Sequence, residues 1–129
     1  MESEKGFSFT KADRLLYSSE FTAVFDDAPF RASHPQLLIL SRSNTLGHPR
    51  LGLVIAKKNV SRAVNRNRLK RLIRESFRGK QHHLPAIDAI VLARRGTENL
   101  TNSEIHNILN DLWKRVAKKA TTADNVKAG

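Results

Sequence analysis

Apolar residues recur at helical spacing in three stretches of the chain and gather into short runs in three others. Between Lys11 and Asp26, Tyr17, Phe21 and Phe25 stand four residues apart with Leu16 and Val24 beside them, which predicts a helix. The stretch from Ala28-Pro29 to His34-Pro35 breaks it. Gln36–Ser41 and Leu51–Ala56 read as strands, and the turn residues Asn44 to Pro49 between them predict a hairpin. A second helix is expected from an N-cap near Ser61 to Gly79, with Leu69, Leu72, Ile73 and Phe77 on its apolar side. Pro85 precedes a third apolar run, Ile87–Ala93, closed by Arg94-Arg95-Gly96. Thr101 and Glu104 have the spacing of a capping box, and Ile105, Ile108, Leu109, Leu112, Trp113 and Val116 then follow a helical stripe. The polar ends, residues 1–10 and 119–129, are expected to be flexible. The order α-β-β-α-β-α, with room for one extra short strand, predicts an α+β fold. Helices are packed on a small sheet in a single domain spanning residues 1–129.

Composition narrows the function. The 129 residues include no cysteine, which excludes disulfides, thiolate nucleophiles and thiolate-held metals. No apolar run reaches the ~18 residues a membrane span needs, and the first thirty residues lack a signal-peptide layout. A cytoplasmic protein is the expectation. The net charge of +11 points to a polyanionic partner, and it is local. Between Lys57 and Lys80 lie ten basic residues against Glu75 alone, a net +9, so the rest of the chain carries only +2. Like charges so crowded on a helix cost stability unless an anionic partner offsets the repulsion.

On a helical wheel Asn67, Arg68, Arg71, Arg74 and Arg78 fall opposite the apolar stripe, and Arg66 and Lys70 flank them. Arginine suits bidentate phosphate contacts and stacking on bases. Arg66 to Arg78 spans ~18 Å, enough for several phosphates. The bland reading of such a run is a solvated face. The concentration of nearly all the net charge in one helix favours nucleic acid, without choosing between RNA and DNA.

The segment RLGLVIAKKNVSRAVNRNRLKRLIRESFR, Arg50 to Arg78, resembles the signature of the bacterial ribonuclease P protein subunit. Its centre is Arg66-Asn67-Arg68, then Lys70-Arg71 and Arg74-Glu75. Arg14-Leu15, Phe21, Val24-Phe25, Leu46 to Arg50, Leu84-Pro85-Ala86 and Ala93 to Gly96 extend the similarity over residues 11–117. The resemblance implies a subunit of an RNA-based endonuclease that removes the 5′ leader of precursor tRNA. The RNA subunit performs the Mg²⁺-dependent hydrolysis, and no catalytic residue or metal ligand comes from the protein. It implies a left-handed βαβ crossover, against the usual hand. It also implies two partners, ribonuclease P RNA and precursor tRNA; nothing in the sequence suggests a dimer interface, so no obligate protein partner is expected. Lys57, Arg62, Arg66, Asn67, Arg68, Lys70, Arg71 and Arg74 are the candidate contacts to the catalytic RNA.

The aromatic face of the first helix reads first as core. Gly52, Val54 and Ala56 share one face of the second strand, and the smallness of Gly52 and Ala56 leaves room for a shallow groove beneath that helix. Lys58 continues the same parity. Single-stranded RNA uses such grooves, stacking on aromatics while cations track its backbone. The resemblance places the leader in this cleft, mapping Phe21, Phe25, Leu37, Ile39, Val54, Ala56 and Lys58 there. The Ile39 slot is aliphatic where relatives often carry an aromatic residue, so apolar contact replaces stacking at that point. None of the five histidines has metal-ligand spacing, and the carboxylates are scattered where a two-metal nuclease needs them clustered. Two other classes remain on residue pattern alone: a structural RNA binder such as a ribosomal protein or RNA chaperone, and a DNA-binding regulator. The second lacks a helix-turn-helix partner for its basic helix.

Overall fold

Residues 30–33 alternate buried and exposed, as a strand with one covered face must. They form the extra short strand, β1 (Phe30–Ser33), between α1 (Ser18–Asp26) and β2 (Leu37–Ser43). There follow β3 (Arg50–Val54), α2 (Ala63–Lys80), β4 (Ile87–Ala93) and α3 (Asn102–Ala128). This computed structural model describes the backbone of residues 11–128 and the side chains of residues 11–122. The expected flexible end at residues 1–10, and Gly129, lie outside the described residues. The helical backbone of α3 runs ten residues past the expected boundary at Lys118.

The four strands form one sheet in the order β1-β2-β4-β3. The predicted hairpin of β2 with β3 is therefore corrected: β4 lies between them, antiparallel to β2 and parallel to β3. The loop that leaves β2 turns through Gly47 at φ +83°, a conformation open to glycine, and carries the chain past the β4 position to the sheet edge. β3, α2 and β4 make a βαβ unit with adjacent parallel strands.

Both faces of the sheet are covered. Leu69, Leu72, Ile73 and Phe77 of α2 and Ile105, Leu109, Leu112 and Trp113 of α3 close the larger core against Leu37, Ile39, Leu51, Ala89 and Val91. Phe77 and Trp113 pack with ring centres 5.8 Å apart, and the indole N–H donates to Ser76 Oγ at 3.0 Å, satisfying a buried donor. The opposite face packs Leu40, Ile90, Leu38 and Val54 against Leu15, Phe21 and Val24. The capping box at the start of α3 is present in both halves: the Glu104 N–H donates to Thr101 Oγ1 at 3.1 Å, and the Thr101 N–H to Glu104 Oε1 at 2.8 Å.

The first helix is shorter than its periodicity predicts. Lys11–Asp13 form a single 3₁₀ turn, and the chain is extended at Arg14, which bridges to Leu51. The Leu15 N–H donates to the Leu51 carbonyl at 3.0 Å, a sheet-like bond that competes with helix at this point. Glu20 then closes the start of α1 by accepting from the N–H groups of Leu16 and Tyr17 at 2.6 and 2.9 Å.

Candidate nucleic-acid interface

Two surfaces meet at the β3 edge. On α2, Asn67 and Arg71 are exposed and Lys70, Arg74 and Arg78 half-buried, so the apolar stripe does turn this face outward. Arg14, Arg71, Arg74 and Arg78 converge on one hollow of about 240 Å³ with no acidic residue in its lining. Arg71 is held by Glu75 one turn away at 3.6 Å, an exposed pair of little energetic weight.

Two arginines of the predicted set are turned inward. Arg68 donates to Asn102 Oδ1 at 2.5 Å and to the carbonyls of Glu98 and Leu100 at 3.2 Å, tying α2 to the start of α3. Arg66 donates to the carbonyls of Val60 and Ser61 at 3.0 and 2.8 Å, closing the turn before α2. Lys57 and Arg62 are exposed in the segment leading into the helix.

Beside this face lies a cleft of about 260 Å³ whose walls are Phe21, Leu15 and Gly52 on one side and Lys70 and Arg74 on the other, with Arg14 also lining it. The open groove expected over Gly52 is filled by the Phe21 ring. A Cβ on Gly52 would stand 2.7 and 2.8 Å from that ring and 3.0 Å from Leu15 Cδ1. Glycine at this position lets α1 lie close to the sheet. Gly52→Ala is expected to push the ring outward and cost about 1 kcal/mol. A denaturant melt checks the cost, and an unchanged midpoint would show that the ring swings aside freely.

The predicted leader residues divide. Phe21 is half-buried, Val54 faces the α1 side, and Phe25 is 47% exposed on the helix surface. Leu37 and Ile39 are corrected: both are fully buried in the larger core beneath α2 and α3, on the other face of the sheet. Their neighbours Leu38 and Leu40 face α1 instead. β3 ends at Val54, so the strand parity assumed for Ala56 and Lys58 does not reach them. The Ala56 carbonyl accepts from the Asn59 and Val60 N–H groups at 3.0 Å, and the exposed Lys57 and Lys58 sit in that turn.

Residue-type reasoning missed the charged network that positions α1. Arg50 and Asp88 are register partners on β3 and β4. Arg50 grips Asp88 with both arms, Nε to Oδ1 at 2.9 Å and Nη2 to Oδ2 at 2.7 Å, and reaches Glu20 Oε2 of α1 at 2.9 Å. Asn44 Nδ2 completes Asp88 at 2.8 Å. A lone aspartate inside the apolar run Ile87–Ala93 was the signal available in the sequence. With Glu20 and Asp88 both bound to Arg50, these carboxylates are poor metal ligands. No group of three or more His, Asp or Glu that could hold a metal ion occurs among the described residues.

The family model Ribonuclease P matches residues 9–117. The chain belongs to the ribonuclease P protein family. It is 59% identical over 117 residues to the ribonuclease P protein component of Saccharophagus degradans, covering 91% of this chain and 87% of that one. It is 53% identical over 113 residues to that of Escherichia coli O157:H7, covering 88% and 94%. Among solved structures, the ribonuclease P protein of Staphylococcus aureus superposes with a TM-score of 0.76 at 32% identity, over 83% of this chain and 99% of that one. That of Thermotoga maritima gives 0.71 at 28% identity, over 80% and 96%. These matches identify the chain as a protein component of ribonuclease P, the enzyme of tRNA 5′ maturation, and set aside the ribosomal, chaperone and DNA-binding alternatives. No helix among the described residues is long and apolar enough to cross a membrane.

Proposed function

We propose that the α2 face, with Asn67 and Arg71 exposed and Lys70 and Arg74 beside them, binds the RNA subunit of ribonuclease P, while the neighbouring α1 side receives the 5′ leader of precursor tRNA. One observation carries this reading: a single cleft has Phe21 of α1 and Lys70 and Arg74 of α2 in its walls. RNA held on the guanidinium face and a strand passing over the aromatic helix then share a border. Arginine forks fix phosphates of the folded RNA, and aromatic faces take unstacked bases of the leader. Phe25 supplies the accessible face, because Phe21 is already packed over Gly52. Mg²⁺ is assigned here to the RNA subunit, and Glu20 and Asp88 of the protein are both engaged by Arg50. Two RNA partners would suit a cytoplasmic protein.

The test is reconstitution with the cognate ribonuclease P RNA and precursor tRNA at low Mg²⁺. The protein is expected to restore correct 5′ cleavage, and failure to bind the RNA or to accelerate cleavage would sink the reading. Phe25→Ala is expected to reduce the preference for a long-leader over a one-nucleotide-leader substrate by about fivefold, the value of one lost base stack. The ratio of the two kcat/KM values reads this directly, and a wild-type ratio would remove Phe25 from the leader path.

A further inference from the structure

A second set of cations lies away from the α2 face. Lys114, Arg115, Lys118 and Lys119 stand within six residues of α3 with no acid among them. α3 packs over β1 and β2, at the sheet edge opposite β3. Arg115 donates to the Ser33 carbonyl at 3.3 Å, and Lys119 donates to the Arg31 carbonyl.

Those two carbonyls are the outward ones. His34 and Leu37 exchange both backbone hydrogen bonds across the turn, so alternation turns Ala32 and Phe30 toward β2 and leaves Ser33 and Arg31 facing away. The outward acceptors of this four-residue edge strand are thus already covered. A peptide strand adding to the edge would have to displace both cations.

Lys114 and Lys118 are exposed and make no hydrogen bond or ion pair among the described residues. They sit one helical turn apart, ~6 Å along the axis. Lys118 borders a hollow of about 510 Å³ floored by Pro29 and Phe30. Lys114 borders another of about 220 Å³ shared with Lys80 and His83 beyond the basic face of α2. The cations therefore continue from the end of α2, across α3, to the β1 edge. Arg115 has a partial counter-charge in Asp111 at 3.3 Å, and the two lysines form no ion pair among the described residues.

We propose that this α3 surface is a second seat for the phosphodiester backbone of the ribonuclease P RNA, separate from the α2 face. The inference rests on the reading that the chain binds that RNA. Charge complementarity selects the occupant: unpaired lysines spaced along a helix suit successive phosphates, and the covered edge disfavours a peptide strand.

The experiment measures binding of the full-length chain to its cognate ribonuclease P RNA over a series of salt concentrations. Wild type, a Lys114→Gln/Lys118→Gln double variant and Arg71→Gln are compared. The double variant is expected to melt like wild type, to bind about tenfold more weakly near physiological salt, and to show a log–log salt slope shallower by roughly 1.4 to 1.8 for two lost phosphate contacts. If it binds with wild-type affinity and slope while Arg71→Gln loses affinity, the α3 seat is overturned and the α2 reading stands. If neither variant changes, both are overturned. Poly-glutamate and phosphatidylserine vesicles serve as alternative probes. Loss confined to either of them, with RNA binding intact, would assign the surface to an acidic peptide or a membrane and overturn the proposal.

Discussion

Arg50→Ala is expected to lower the stability of the fold by about 3 kcal/mol. The variant strands Asp88, 8% exposed inside the sheet, and leaves Glu20 without the guanidinium that ties α1 to it. Removing one partner of a buried, hydrogen-bonded pair leaves the other charge uncompensated, and that is where most of the cost arises. The value sits at the lower end of the range because the Arg50 side chain keeps 16% exposure. Urea melts of the two proteins measure it, and a loss below about 1 kcal/mol would mean that water replaces the clamp. The same network gives an acid limb to stability. The Tyr17 N–H chiefly holds the Glu20 carboxyl below the ordinary carboxylate range. Partial burial opposes it, and the Leu16 N–H and Arg50 add to it. A carboxyl depressed in the folded state contributes fully above its unfolded value, ~4.3, and loses that contribution as pH falls through the lower folded value. Arg50 itself is raised by Asp88 and Glu20 and stays charged throughout. Wild type is therefore expected to lose stability as pH falls below the ordinary carboxylate value of ~4.3, and Arg50→Ala to lose less on the same acid limb.

The parts of this fold that were legible are those where one face alone is apolar. The stripes of α2 and α3 identify themselves, and the box at Thr101 and Glu104 marks a helix start to within a residue. Pairing was not legible, because an apolar run announces a strand without naming its neighbour. β3 joins β4 in parallel only after the α2 crossover. Nor was the face of β2 legible. Leu37, Leu38, Ile39 and Leu40 are all apolar because both faces of the sheet are covered, so no alternation says which pair looks at α1. A shift of one residue moves the whole set to the other side, so nothing in the apolar pattern could test the mapping of Leu37 and Ile39 to the cleft that the resemblance implied. The end of α3 was missed for the opposite reason. Beyond Ala120 the sequence turns polar, and polarity reads as a tail although the backbone stays helical.

The combined substitution Arg71→Ala/Arg74→Ala is expected to weaken binding to the ribonuclease P RNA by about a hundredfold while leaving the melting temperature close to wild type. Each side chain reaches the guanidinium hollow, and each charge-assisted contact to phosphate is worth about tenfold. Neither residue is bound into the core: Arg71 is exposed with one weak pair to Glu75, and Arg74 makes no hydrogen bond or ion pair among the described residues. Arg68→Ala should behave differently. Its guanidinium joins α2 to Glu98, Leu100 and Asn102, so its loss is expected to cost about 1 to 2 kcal/mol of stability before any RNA is added. The three residues look alike on a helical wheel, and only their partners separate them. Paired thermal melts and filter binding decide the matter. A stable Arg68→Ala that loses RNA as strongly as the double variant would mean that this arginine swings out of its protein contacts to reach the RNA. The basic helix would then be rearranged in the complex, and the division into gripping and tying arginines would hold only for the free protein.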